Sequence, residues 1–225
     1  RDEFPAKGYG LIVSSHATGW LPAGYYANAE KYESGELKSA AHRFSVRPYQ
    51  NAVPYVEPVF DPSLPLTKSI GQDVYYIGEE RFSFEMSLPD FADAIPMHLD
   101  YILFDACFMA NVESIYDLRN NAKYIVGSPC EIMGAGFPYT NIMPLLLQNN
   151  GMSYDLDAVC RQFNEDYAKN PGYSGTVALI DCSQMDGLAQ AMKRVNNANK
   201  KEYRPNDIQA YEGQTSHIFF DLGDY

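Results

Sequence analysis

The stretch LDYILFDACFM, Leu99 to Met109, constrains this chain more than any other. Tyr101, Ile102, Leu103 and Phe104 form a short apolar, β-prone run, and a helix-like pattern follows Asp105-Ala106-Cys107 at once. Such a run reads as a buried parallel strand whose C-terminal end lies at a βα turn. In open α/β sheets that end is where ligands bind. Asp105 and Cys107 are two residues apart, so on an extended strand they share a face. The pattern predicts a carboxylate and a thiol together at the functional edge of a sheet.

A second run, GYGLIVSSHATGW from Gly8 to Trp20, has the same form. It predicts a strand over 8–16, with Leu11, Ile12 and Val13 at its centre and Ser14-Ser15-His16 at its end. If the two strands are parallel neighbours, His16 and Cys107 emerge side by side. A Cys and a His brought together by the fold are the arrangement of thiol nucleophilic catalysis.

The remaining pattern is strand, helix, strand, helix, the rhythm of a mostly parallel sheet with helices on its faces. Ser87 and Asp90 have capping-box spacing before a helix whose apolar face is Leu88, Phe91, Ala94 and Ile95. A helix over 110–121 has Val112, Ile115, Tyr116 and Leu118 as its stripe. A strand follows at 124–127, then helices over 140–148 and 156–169, with Pro144 in an opening turn of the first. A strand over 176–181 precedes a helix capped by Ser183, and HIFFDLGDY begins a last strand. Residues 21–72 lose periodicity and carry prolines at 48, 54, 58, 62 and 65. They read as a long insertion with short strands at 55–60 and 74–77, and loops of that length are usually functional or mobile.

With 225 residues, 46% of them apolar, the chain has enough material for one substantial α/β domain over 1–225. A net charge of −12 speaks against nucleic-acid binding and suits cationic ligands. The mean hydropathy is −0.33 and no apolar run has membrane-spanning length. Cys107, Cys130, Cys160 and Cys182 show neither CxxC nor zinc-type spacing, and Cys160 and Cys182 read as plain buried thiols. His42, His98 and His217 sit in no metal constellation, no loop has EF-hand spacing, and Trp20 reads as a packing residue.

Three blocks carry a resemblance: YGLIVSSHATGW; LDYILFDACFMANVESIYDLRNNAKYIVGSPCEIMGAGFPYT; and SGTVALIDCSQMDGLAQAM. Together they resemble the clostripain family of cysteine peptidases, in the fold group of caspases, gingipains and legumains, along nearly the whole chain except 21–72. The resemblance implies a three-layer caspase-like α/β sandwich, with the family's N-terminal strands absent from this chain. It implies that Cys107 is the nucleophile and His16 the general acid/base. The backbone N–H groups of Ala17 and Cys107 would form the oxyanion hole. Asp105 matches the acidic residue that selects Arg or Lys at P1, with Glu131 a second candidate for that lining. The family usually has Gly where this chain has Ala17.

The implied protein is a secreted or cell-envelope endopeptidase that needs no metal for its chemistry; calcium, used by some relatives, is the one cofactor left open. Its partners are peptides with a basic P1 residue, and a second chain from zymogen maturation at Lys38, Arg43, Arg47 or Lys68. Two alternatives stay open: a non-catalytic binding module on the same fold, and an amidase or acyl transferase using the same Cys-His pair.

Overall fold

A computed structural model describes residues 3–22, 68–77, 80–147, 153–198, 208–211 and 219–224. Its centre is the strand read first from the sequence. That strand, β5 (Leu99–Asp105), lies between β1 (Gly10–Ser14) and β6 (Ala122–Gly127), parallel to both, and β7 (Ala178–Asp181) adds to β6 in the sheet order β1-β5-β6-β7. β5 is buried along almost its whole length, as expected of a strand covered on both faces.

Alternation along β5 divides the core in two. Ile102 and Phe104, with Ile125 of β6, pack on one face against Leu88, Ile115, Leu118 and Met185. Those residues come from α1 (Leu88–Ala94), α2 (Val112–Leu118) and α5 (Met185–Ala198). Tyr101 and Leu103, with Val126, pack on the other face against Ile142, Leu146, Val159 and Phe163. These belong to α3 (Tyr139–Leu146) and α4 (Leu156–Ala168). Helices on both faces of a mostly parallel sheet make the expected three-layer α/β sandwich.

A second sheet, antiparallel and ordered β2-β3-β4, leaves the first where β1 ends. It comprises β2 (Ala17–Pro22), β3 (Lys68–Ile77) and β4 (Glu80–Ser87). The edges of the expected insertion are therefore strand: residues 68–72 belong to β3, which also contains the expected 74–77 strand. The expected strand at 55–60 lies outside the described residues, as do Lys38, Arg43, Arg47, His42 and His217. Lys68 opens β3 and His98 is exposed directly before β5. A third, two-stranded sheet pairs β8 (Ala210–Tyr211) with β9 (Phe219–Phe220).

The caps explain several boundaries. Ser87 caps α1, its Oγ accepting the Asp90 N–H at 3.2 Å and donating to Asp90 Oδ2 at 2.6 Å. Ala94, placed on the apolar face in the sequence reading, is exposed. Asn111 caps α2 by accepting the Ser114 N–H at 2.8 Å. β7 runs antiparallel to β6, at the edge of a sheet that is mostly parallel, as expected. Two expectations are corrected. Asp181, not Ser183, does the capping after β7: its Oδ1 accepts the Ser183 N–H at 3.0 Å and opens a 3₁₀ turn, Cys182–Gln184, before α5. Pro144 lies late in α3, where the helix is about to stop, rather than in its first turn.

Candidate active site

Parallel register decides which segments meet. Ser14 pairs with Asp105, and the Ser15 N–H donates to the Asp105 carbonyl at 3.2 Å. β1 and β5 thus end at the same level, and the segments holding His16 and Cys107 leave the sheet at one edge. Beyond that level both chains turn. His16 is exposed between β1 and β2, its carbonyl accepting the Gly71 N–H of β3 at 3.0 Å. Ala17, buried, begins β2 opposite Ile70.

The strand alternation that put Asp105 and Cys107 on one face stops at Asp105. Residues 106–110 form a turn, and Phe108 adopts φ 60°, the left-handed region that a bulky residue enters only under constraint. Three contacts hold it there. Its N–H donates to the Cys130 carbonyl at 3.0 Å, its carbonyl accepts the Asn111 side-chain amide at 2.5 Å, and its ring stacks on Phe219 at 4.6 Å. Gly19 of β2, with φ 61°, fits against the same turn: a Cβ there would collide with the Phe108 carbonyl and stand 2.6 Å from Asn111 Nδ2. The strand after His16 therefore packs on the turn after Cys107. Trp20 packs edge-on to Phe219 at 6.2 Å while remaining 38% exposed.

The thiol itself is half-buried. Its Sγ accepts the Ile132 N–H at 3.3 Å and lies 3.9 Å from the Ile132 carbonyl. Burial, then the negative charges of Glu131 and Asp105, push the thiol above its ordinary range, partly offset by main-chain hydrogen bonds from Ile132 and from Cys107 itself. Glu131 is half-buried, and its Oε1 is buried without a hydrogen-bond partner. The structure thus brings Cys107, Glu131 and Asp105 into one neighbourhood.

Asp105 is 9% exposed and is held from several sides. Tyr139, the first residue of α3, donates its hydroxyl to Asp105 Oδ2 at 2.7 Å. Burial and that hydrogen bond push the Tyr139 phenol far above its ordinary value. Tyr167 of α4 is pushed up to about 12 by burial, then by the charge of Asp105. Its hydroxyl donates to the Gly136 carbonyl at 3.1 Å.

Phe108, Asn111, Gly19 and Tyr139 were not singled out from the sequence. Asn111 was findable, since an Asn directly before an apolar-periodic run is an N-cap pattern. The others depend on contacts between distant segments. Cys182 is buried as expected, Cys160 only half-buried, and burial raises both thiols to about 11. Among the described residues no group of three or more His, Cys, Asp or Glu could hold a metal ion, and no helix is long and apolar enough to cross a membrane.

Solved structures share this architecture. The whole chain superposes on a secreted C11 cysteine protease from Bacteroides thetaiotaomicron with 26% identity and TM-score 0.67, covering 53% of that chain. It superposes as fully on an inactive zymogen C11 protease from Parabacteroides distasonis, with 25% identity and TM-score 0.64, covering 50%. A clostripain from Bacteroides thetaiotaomicron, in complex with the peptide inhibitor BTN-VLTK-AOMK, matches 63% of this chain and 64% of its own at 32% identity and TM-score 0.57. The chain spans about half the length of the first two. No curated protein matches it. The clostripain family model matches residues 61–219, taking in Asp105, Cys107 and Glu131 and starting after the His16 strand. On a match over most of its length, the chain belongs to the clostripain family.

Proposed function

We propose that this protein is a cysteine endopeptidase cutting after Lys or Arg, with Cys107 and His16 as its dyad. The observation that carries the reading is the in-register parallel pairing of β1 and β5, which brings the His16 and Cys107 segments to one sheet edge. Family membership and relatives solved with peptide inhibitors support the same chemistry. One of those inhibitors carries the peptide VLTK, with Lys adjoining the AOMK group.

In this reading His16 takes the Cys107 proton and the thiolate attacks the scissile carbonyl carbon. The tetrahedral oxyanion meets the backbone N–H groups of Ala17 and Cys107. Collapse breaks the C–N bond as the His16 imidazolium gives its proton to the leaving amine, leaving a thioester on Cys107. Water, deprotonated by His16, then attacks the thioester carbonyl. The carboxylic acid product leaves and the thiol is restored. Asp105, and more weakly Glu131, supply the negative charge that a P1 Lys or Arg would meet. The relative described as secreted supports a secreted location for this protein. A second chain from proteolytic maturation is part of the same proposal.

Asp105→Asn tests the specificity half of the reading. The variant is expected to lose roughly a hundredfold or more in kcat/KM on peptides with basic P1 and far less on neutral ones. Equal loss on both would remove Asp105 from the P1 site. Cys107→Ala, expected to abolish hydrolysis, is the companion control. One observation favours a catalytically silent reading instead: burial and the nearby Glu131 and Asp105 charges raise the thiol, which opposes thiolate formation. That reading predicts an intact Cys107 that no peptidyl electrophile modifies.

A further inference from the structure

The carboxylate proposed to read P1 is not open on both sides. Tyr139 Oη donates to Oδ2 at 2.7 Å. Tyr139 opens α3 and Asp105 closes β5, so this bond ties the end of the strand to the start of the helix. The 134–138 loop closes the same flank. Gly136, at φ 64°, lies so near the carboxylate that a Cβ on it would stand 2.5 Å from Oδ2 and 2.9 Å from Oδ1. The loop is pinned in turn: the Gly136 N–H donates to the Met133 carbonyl at 2.8 Å, and its carbonyl accepts the Tyr167 hydroxyl. Oδ2 is thus already hydrogen-bonded, while the loop stands beside both oxygens on one flank.

Arg and Lys make different demands on a carboxylate. A guanidinium gains most from two parallel N–H bonds to two oxygens along one edge, whereas an ammonium is a point charge satisfied by one. From this geometry we infer that Tyr139 is a positioning residue that presents Asp105 through a single free oxygen and so biases the P1 site toward Lys over Arg. The inference rests on the P1 role of Asp105 given above. Phenylalanine keeps the Tyr139 ring and removes only the hydroxyl, so Tyr139→Phe would return Oδ2 to the incoming side chain.

The test is the rate of Cys107 modification in the full chain by matched peptidyl-Lys and peptidyl-Arg acyloxymethyl ketones, followed by mass spectrometry. In Tyr139→Phe the Arg-to-Lys ratio of rates is expected to rise about three- to tenfold. Proportional loss on both probes, with the ratio unmoved, would make Tyr139 a purely structural residue and overturn the inference. Asp105→Asn separates the two failures. If it abolishes the preference for basic over neutral probes while the Tyr139→Phe ratio stays fixed, only the Tyr139 inference fails. If it leaves that preference intact, the P1 role of Asp105 fails and the inference falls with it.

Discussion

Phe108 sets the geometry around the thiol. A left-handed conformation in a bulky L-residue costs roughly 1–2 kcal/mol, so it persists only where its surroundings impose it. Here Cys130, Asn111 and Phe219 impose it from three segments. The result lifts Cys107 out of the strand and into the 130–132 loop, where burial and two acids raise the thiol. Because the thiol lies above its ordinary value of 9.0, its alkylation rate should still be climbing with pH at 9, where a free thiol begins to level off. Glu131→Gln removes a negative charge that opposes thiolate formation, so the rising limb should move to lower pH and alkylation near neutrality should speed up a few-fold. An iodoacetamide pH profile of both proteins measures this; coincident profiles would detach Glu131 from the thiol. Asp105, Cys107 and His16 were legible as candidates because they sit at the ends of two apolar strand runs, and Glu131 only through the family resemblance. The bond from Tyr139 to Asp105 crosses 34 residues, and nothing in single-sequence pattern carries it.

At the scale of elements, α2 does more than cover the sheet. Its cap residue, Asn111, accepts from Ser114 and donates to the Phe108 carbonyl, so one side chain both starts the helix and fixes the turn after Cys107. Asn111→Ala should destabilise the fold by about 2 kcal/mol, the sum of a lost cap and a lost buried hydrogen bond. Urea denaturation measures it, and a loss well under about 1 kcal/mol would mean that the Cys130 hydrogen bond and Phe219 packing hold the turn without Asn111. β5, β6, α1, α2 and α4 were readable because apolar runs, helical stripes and caps are written over consecutive residues. The β2-β3 pairing was not, since its partners are separated by the aperiodic stretch that the prolines mark. Nor was the direction of β7, because β-pairing is a choice among distant segments and the apolar pattern of 178–181 is the same either way.

For the whole molecule, the arrangement is a division of labour between two sheets. The four-stranded sheet supplies Cys107 and Asp105 from the end of β5, and the antiparallel sheet that begins at Ala17 packs on the turn between Cys107 and α2. His16 lies at the hinge between them. The net charge of −12 favours approach of cationic peptides to this edge, in keeping with two carboxylates near the thiol. The measurement that tests this account most directly is exposure of the full chain to a peptidyl-Lys acyloxymethyl ketone. A peptidyl-Asp analogue serves as control, and peptide mapping locates the adduct. The account predicts a single adduct on Cys107, formed with the Lys probe, absent with the Asp probe and lost in His16→Ala. A folded protein that forms no adduct, or forms it equally with both probes, would contradict it.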